Sequence, residues 1–233
     1  MKRKIFILFV SAITMLTLNT FAQSGQSRSV SGFNSIESGG PFNVHVKITG
    51  TESVRLDIDD DVVNDVKTEV EGGVLKIGFR HNFSLRNHNI KRGDIYVTAK
   101  SLSALANSGS GNLDLDGVLT GQNVSVILSG SGNMRAAVKA STLESRISGS
   151  GGINLKGGTD AAEFRISGSG EINGKGLTTE TLTATISGSG GISVVANKTV
   201  SARITGSGGV SYSGNATIAE TRYTGSGRVN HLN

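Results

Sequence analysis

The chain of 233 residues has no cysteine and no tryptophan, and its single proline is Pro41. Without cysteine it can form no disulfide, no thiolate metal site, no cysteine nucleophile and no lipid-modified N-terminal cysteine. The stability of the fold must therefore come from packing and from backbone hydrogen bonds.

The chain also lacks a long hydrophobic run, and the one hydrophobic stretch at its start is short. Residues 1–4 form a positive region with three basic side chains, residues 5–18 form an apolar stretch, and Thr20-Phe21-Ala22 forms a small-residue cleavage site, as in an export signal. The apolar part is shorter than the roughly 20 residues that a membrane-spanning helix needs. We therefore expect residues 1–22 to be a signal peptide, no later membrane span, and export to the periplasm, the cell surface or the extracellular space.

Removal of this signal takes away three of the 23 basic residues and none of the 18 acidic ones, so the net charge falls from +5 to +2. A nucleic-acid partner would require a concentrated basic surface. The charge balance therefore gives no support to a nucleic-acid partner.

Glycine, by contrast, is abundant, and much of it belongs to one repeated tetrapeptide. Ser-Gly-Ser-Gly, with Thr sometimes in its first position, occurs seven times at spacings of 18 to 21 residues. The copies begin at Ser108, Ser129, Ser148, Ser167, Ser187, Thr205 and Thr224. This period is too short for paired-helix repeats and matches one coil of a small parallel β-solenoid.

Aligning the seven copies separates apolar positions from polar ones. The position two residues after each final glycine is always apolar. The position directly before each copy, from the second copy onward, is apolar as well. A third column, five residues before each copy, is mostly apolar and aligns Ala219 with Val200. The first set is Leu113, Met134, Ile153, Ile172, Ile192, Val210 and Val229, and the second is Leu128, Ile147, Ile166, Ile186, Ile204 and Tyr223. This alternation predicts strands whose apolar columns face inward, with each tetrapeptide at a corner of the coil.

The sequence before the repeats is also rich in predicted strands. Period-two alternation predicts strands over residues 42–48, 54–58 and 95–99, and Gly72-Gly73 lies between two further strands as in a hairpin. We expect a flexible leader at 23–32, a β-rich portion at 33–100 and the solenoid at 101–233, with 33–233 as one continuous domain.

The residues Gly152-Ile153-Asn154, together with the variants Glu171-Ile172-Asn173 and Gly191-Ile192-Ser193, follow the tetrapeptide. With the export signal and the β-rich opening, the chain resembles the bacterial family named “putative auto-transporter adhesin, head GIN domain”, a domain of unknown function frequent in Bacteroidetes. The resemblance covers the chain from about Phe33 onward. It implies an all-β, right-handed, parallel β-helix-like solenoid of about seven coils and an adhesin-like role, with no established activity.

Catalytic and metal chemistry find little support in the pattern. Asp114 and Asp116 in the first unit are the one carboxylate pair that could serve calcium, and the other corners carry serine where calcium-binding β-rolls carry aspartate. Glu144 and Glu163 would lie one rung apart, as a glycosidase pair might. Each has an arginine two residues later, which favours a charge-compensated outer ladder. We expect no cofactor, no metal and no catalytic residue.

Two basic surfaces are candidates for binding. The first is the loop 80–92, which contains basic residues and no acid and could contact anionic glycans or lipid headgroups, or could simply be solvated. The second is a column of outward arginines on successive coils. The candidates are Arg80, Arg86, Lys91 and Arg92 in the loop, and Arg146, Arg165, Arg203 and Arg222 in the column.

The sequence therefore predicts an exported, non-enzymatic β-solenoid that serves as an adhesin-like or structural module of the cell envelope or surface. Two alternatives remain open: a carbohydrate-active β-helix enzyme, and a periplasmic module that binds glycan or lipid. The expected partner is a surface glycan or another envelope protein. An exposed coil at either end is an edge at which copies of the chain could associate into a homo-oligomer.

Overall fold

The protein is represented by a computed structural model, which describes residues 25–80, 91 and 93–232. The predicted signal peptide lies outside the described residues. Sixteen strands and one 3-10 turn, Val63–Asp65, make up the regular structure of the described part. The strands are β1 (Gln26–Arg28), β2 (Ser35–Ser38), β3 (Asn43–Ile48), β4 (Ser53–Ile58), β5 (Val66–Glu71), β6 (Val74–Phe79), β7 (Gly93–Ala99), β8 (Ala104–Asn107), β9 (Leu113–Gly130), β10 (Asn133–Gly149), β11 (Gly152–Gly168), β12 (Glu171–Gly188), β13 (Gly191–Gly206), β14 (Gly209–Ser213), β15 (Thr217–Gly225) and β16 (Arg228–His231).

These strands wind into a parallel β-solenoid of about seven turns, as the tetrapeptide spacing predicts. The long strands β9 to β13 pair in parallel with their neighbours in chain order, and β14, β15 and β16 continue the stack. No helix in the described part of the chain is long and apolar enough to cross a membrane.

The pairing confirms the alignment of the repeats. Ile147 lies opposite Ile166, Ser148 opposite Ser167 and Gly149 opposite Gly168, so equivalent motif positions stack on one another. Both apolar columns are buried through the first six copies and form part of the core. In the last coil, Val229 is half-buried and Tyr223 is 46% exposed.

The last coil also shifts one predicted column. Ile218, and not Ala219, lies opposite Val200, since β15 contains an irregularity between the pairs Val200–Ile218 and Ser201–Glu220. The expected inward position of Ala219 is therefore wrong. The bulge adds one residue to the strand and displaces the residues before it by one place relative to an alignment anchored on the following tetrapeptide.

The N-terminal strands extend the same stack. β2 pairs in parallel with β8 and β6, and β3 pairs in parallel with β9 and β7. The register places Gly39-Gly40-Pro41-Phe42 beside Ser108-Gly109-Ser110-Gly111, so this segment is an additional corner without the Ser-Gly-Ser-Gly sequence. The predicted hairpin is confirmed as β5 and β6, with Gly72 and Gly73 at positive φ in the turn.

The expectation of a flexible leader over residues 23–32 is wrong for residues 26–28. They form β1, which pairs antiparallel with β4. Backbone pairing fixes this segment although it carries no apolar periodicity. The carboxylate of Glu52 holds the following turn, because its Oε1 accepts the N–H groups of Gly32 at 3.0 Å and Phe33 at 3.3 Å.

The corners need glycine for two separate reasons. Gly168 has φ of +125°, and a Cβ there would lie 2.3 Å from the carbonyl oxygen of Gly149 in the preceding coil. Gly170 has no such φ, but a Cβ there would lie 2.6 Å from both the carbonyl oxygen of Gly151 and the Cγ2 of Ile147. The amides of Ser169 and Gly170 both donate to the carbonyl of Gly149, at 3.0 and 3.1 Å. Successive corners thus stack backbone on backbone.

Gly168→Ala should destabilise the solenoid strongly, because the substitution adds both an unfavourable φ and a steric clash with the coil below. We expect the free energy of unfolding to fall by about 3 kcal/mol or more and the melting temperature by roughly 6–12 °C. Thermal unfolding followed by circular dichroism measures the shift. Gly191→Ala is the control, since a Cβ there meets its nearest neighbour, the Cγ of Glu171, at 3.9 Å. Equal melting temperatures for the two variants would contradict this account.

The attachment of the N-terminal turn should weaken in acid. The side-chain hydrogen bond from Lys100, helped by the N–H groups of Phe33 and Gly32, holds the pKa of Glu52 below its ordinary value of 4.5. A carboxyl with a lowered pKa in the folded state stabilises the fold above its unfolded pKa and loses that effect as pH falls through the folded pKa. Hydrogen-exchange protection of the amides of Gly32 and Phe33 should therefore drop between about pH 7 and pH 3. With Glu52→Gln it should be low at both values, and pH-independent protection in the unaltered chain would refute the role of Glu52.

Candidate ligand-binding groove

A groove of 860 Å³ crosses six neighbouring strands on the outside of the solenoid. In sheet order these strands are β7, β3, β9, β10, β11 and β12. With adjacent strands about 4.8 Å apart, the groove is about 24 Å long and runs parallel to the solenoid axis.

The groove follows from the alternation of side chains along each strand. Two outward residues flank an inward one, so two rows of side chains form the walls and the main chain between them forms the floor. The first row is Tyr96, His45, Asp114, Arg135, Asn154 and Asn173, which are paired across consecutive strands. The second row is Thr98, Lys47, Asp116, Lys156 and Lys175, and the residues between the rows are Val97, Val46, Leu115, Ala136 and Leu155.

One end of the groove is closed by a stack of three side chains. The guanidinium of Arg55 lies 4.1 Å from the ring centroid of Tyr96. The imidazole of His45 stacks on the same ring, with centroids 5.0 Å apart and planes 23° apart. Arg55 and His45 come from the strands on either side of Tyr96, so they cover both faces of its ring. A ligand can therefore meet Tyr96 at the edge of its ring and at its hydroxyl.

Beyond this stack, the groove carries a hydrogen bond between His45 and Asp94 and two exposed ion pairs. His45 Nε2 lies 2.9 Å from Asp94 Oδ1. Lys47 Nζ lies 3.4 Å from Asp116 Oδ2, and Arg135 Nη1 lies 3.5 Å from Asp114 Oδ1. Ion pairs in such exposed positions are individually weak. Their members can therefore exchange a partner in the chain for one on a ligand at little cost.

The other end of the groove is cationic and rich in amide groups. Asn154 and Asn173 are in the first row, and Lys156 and Lys175 are in the second. Within the part of the chain that the structure describes, no carboxylate lies within ion-pair distance of Lys156 or Lys175. The charge of the groove is therefore compensated toward β7 and positive toward β12.

The arginine column that the sequence predicts lies on a different face. Arg146 and Arg165 are adjacent across β10 and β11, and Arg203 and Arg222 are adjacent across β13 and β15. Thr185 on β12 separates the two pairs.

Three of the four arginines in this column form ion pairs, and Arg203 has no carboxylate within ion-pair distance in the described part of the chain. Arg146 Nη2 lies 2.8 Å from Glu144 Oε1, and Arg222 Nε lies 2.6 Å from Glu220 Oε1. Arg165 forms an ion pair with Glu163, and its Nη1 lies 3.5 Å from Glu144 Oε1. Glu144 and Glu163 are thus occupied by arginines, as in the charge-compensated reading of the sequence. This arrangement counts against a glycosidase on the ladder.

The loop predicted as a second basic surface is described at its ends alone. Arg80 and Lys91 are exposed there, and the N–H of Lys91 donates to Asp59 Oδ2 at 2.7 Å. Arg86 and Arg92 lie outside the described residues, so binding by this loop stays a prediction. Among described residues no group of three or more histidines and carboxylates is placed to hold a metal, and Asp114 and Asp116 each face a cation of the groove.

The sequence shows one part of the groove and hides the rest. The column of Asp114, Arg135, Asn154 and Asn173 follows the tetrapeptides and is visible as an outward position. Its continuation onto His45 and Tyr96 depends on the parallel pairing of β3 with β9 and of β7 with β3. No repeated motif in the sequence marks these pairings.

Comparison with known proteins agrees with the fold and identifies a family. A family model described as “Putative auto-transporter adhesin, head GIN domain” matches residues 32–216. No curated protein matches the chain significantly.

Solved structures are similar over nearly the whole chain. A “putative adhesin” from Bacteroides fragilis NCTC 9343 is 22% identical with a TM-score of 0.82. A “putative lipid binding protein” from Parabacteroides distasonis ATCC 8503 is 25% identical with a TM-score of 0.72, and a “putative adhesin” from Parabacteroides merdae ATCC 43184 is 24% identical with a TM-score of 0.70. Each comparison covers 90% of this chain and 96% of the other. The β-solenoid is thus a fold that these bacterial proteins share.

The stack of Arg55, Tyr96 and His45 should stabilise the groove measurably. Tyr96→Ala removes both ring contacts, and we expect it to lower the free energy of unfolding by about 1–2 kcal/mol. Tyr96→Phe keeps the ring and should cost less than about 0.5 kcal/mol. Denaturant titration of the three proteins measures the difference. Equal losses in the two variants would show that the ring contacts do not carry this energy.

Proposed function

We propose, from the premise that the chain belongs to the family described as “Putative auto-transporter adhesin, head GIN domain”, that it is an exported, non-enzymatic, adhesin-like module. It acts in the cell envelope or at the cell surface and holds an acidic glycan in the groove. The export-signal pattern of residues 1–22 supports the location, and the groove supports the ligand.

The observation that carries the proposal is the shape of the groove together with its chemistry. It is a continuous trough about 24 Å long with polar side chains on both walls. An extended, hydroxyl-rich chain fits such a trough, because each step along it meets a new hydrogen-bonding group. Asn154 and Asn173 offer both donors and acceptors, and the charged pairs offer carboxylate and guanidinium groups.

The charge distribution favours an acidic glycan over a neutral one. Lys156 and Lys175 lie on adjacent strands beside the two amides, without a carboxylate partner in the described structure. A carboxylate or sulfate on a sugar would provide that partner through charge-assisted hydrogen bonds. A neutral sugar would leave both ammonium groups to water.

A lipid is a less suitable occupant. One similar structure is called a “putative lipid binding protein”, which raises the question for this chain. The side chains of both rows are mostly polar or charged, however, and Val46, Val97 and Ala136 are buried. The lining between the rows offers apolar surface, but an acyl chain would give Lys156, Lys175 and the other charged groups no partner.

A second candidate function is glycan cleavage within the groove. Asp114 and Asp116 stand in opposite walls on the same strand, with Cα atoms about 6.7 Å apart for an extended chain. That separation is within reach of the spacing between glycosidase carboxyl groups. Each carboxylate faces a cation, Arg135 or Lys47, and this pairing favours binding over catalysis.

Calorimetric titration with oligogalacturonate, compared with a neutral maltooligosaccharide, tests the proposal. The chain should bind the acidic oligosaccharide more tightly, and added salt should weaken that binding. Lys156→Gln with Lys175→Gln should raise the dissociation constant about tenfold. The matched control is Lys139→Gln with Lys198→Gln, which removes the same charge outside the groove and should leave the constant unchanged. Equal effects of the two double variants would contradict the assignment, and so would binding to anionic lipid vesicles without binding to either saccharide.

A depolymerisation assay on the same oligogalacturonate separates binding from cleavage. We expect no release of shorter products over hours at a concentration that saturates the groove. Turnover that Asp114→Asn abolishes would establish the second candidate and overturn the non-enzymatic assignment.

A further inference from the structure

The two ends of the solenoid differ in how they finish the hydrophobic core. At the N-terminal end, antiparallel pairs complete the stack: β1 on β4, and the hairpin of β5 and β6. At the other end, Ile218 is 49% exposed and Tyr223 is 46% exposed. Their counterparts in the coil below, Val200 and Ile204, are buried. We call the surface of β15 and β16 that faces away from this coil the open end.

The open end also presents a strand edge. Among described residues β15 pairs with β13 alone, so its outer edge offers N–H and C=O groups to another strand. The edges at the N-terminal end are protected in the ways that natural sheets use. β1 is three residues long, and β5 carries charges, with Lys67 in ion pairs to Glu69 and Glu71. At the open end, β15 is nine residues long and no strand covers its outer edge in the described structure, although it carries the charged residues Glu220 and Arg222.

We propose that the open end binds the open end of a second copy of this chain. In this arrangement, β15 of each copy pairs antiparallel with β15 of the other about a two-fold axis at Thr221. The stacked strands and the core inside them then continue from one solenoid into the next. The partner's Tyr223 then lies opposite Ala219, beside the exposed Ile218, and covers part of the same core.

Charge and facing select the register. Residues opposite each other in an antiparallel pair must point to the same side of the sheet. In β15 the side chains of Glu220 and Arg222 point outward, whereas those of Thr221 and Tyr223 point inward. Pairing centred on Thr221 places Glu220 opposite the partner's Arg222, and the reverse pair follows by symmetry. Moving the centre to Glu220 or to Arg222 would place two like charges opposite each other. The sequence of β15 is therefore self-complementary in the Thr221 register.

A two-fold contact of this kind closes on itself, since each copy uses the same surface. It gives a dimer and no filament, because the protected N-terminal ends stay outside the contact. The dimer would carry two copies of the groove, so a polymeric ligand could engage both and bind with increased avidity. The dimer itself does not depend on what the groove binds.

Analytical ultracentrifugation of the purified chain tests the dimer. We expect twice the monomer mass for the unaltered chain. Glu220→Arg or Arg222→Glu alone should raise the dimer dissociation constant about tenfold or more, because each places like charges across the axis. The double variant Glu220→Arg with Arg222→Glu restores opposite charges and should dimerise as the unaltered chain does. Circular dichroism checks that all variants are folded.

A monomer at all concentrations, an open series of larger species, or single variants that dimerise normally would each overturn the proposal.

A cysteine cross-linking experiment tests the register independently, because no native cysteine can form a competing disulfide. Thr221→Cys should form a disulfide-linked dimer on mild oxidation, since the two residues face each other across the axis. Thr120→Cys, at an exposed site outside β15, should stay monomeric on a denaturing gel. Equal cross-linking at the two sites would contradict pairing at Thr221.

Discussion

The close approach of one corner backbone to the next is the constraint on which this structure depends. At each Ser-Gly-Ser-Gly corner, the carbonyl of one glycine lies where the Cβ of the glycine above would be, as with Gly149 and Gly168. Side chains other than hydrogen cannot occupy these positions without moving the coils apart. The corners thereby fix the spacing and the register of the coils, and the hydrogen bonds between corners follow from that spacing.

Fixed register turns a chain with a period of about 19 residues into continuous rows of side chains. Inward rows make the core, and outward rows make surfaces whose chemistry is set one residue per coil. One such surface, the ladder with Glu144 and Arg165, compensates its own charge. Another, with Asn173 and Lys156, leaves hydrogen-bonding groups and positive charge available along a groove. The same scaffold therefore carries one face that is largely ion-paired and another with cations unpaired within the described residues, and the difference lies in the outward residues.

Much of the fold can be predicted from the sequence because the repeat contains its own alignment. The inward positions of Met134 and Ile153, the corners and the hairpin at Gly72 and Gly73 all follow from local patterns. The bulge at Ala219 could not be predicted, since a bulge changes the register without a motif of its own. The strand at residues 26–28 could not be predicted either, because it has no apolar periodicity and is held by backbone pairing with β4 and by the side chain of Arg28.

The groove is hidden from the sequence for a related reason. His45 and Tyr96 lie 51 residues apart in the chain and outside the repeats, and only the pairing of β3, β7 and β9 aligns them with Asp114. The strongest charge column in the sequence is ion-paired at Arg146, Arg165 and Arg222, whereas the mixed outward column with Asn154 and Asn173 lines the groove. Charge density in a sequence marks exposure, whereas a binding surface depends on which charges remain without an internal partner.

The central claim is that the groove across β7 to β12 holds an acidic glycan, and a crystal structure of the chain with bound oligogalacturonate tests it most directly. The account predicts a saccharide chain that lies between the two rows of side chains, with a carboxylate at Lys156 and Lys175. A saccharide bound on the face of Arg146 and Arg165, with the groove left to solvent, would contradict it.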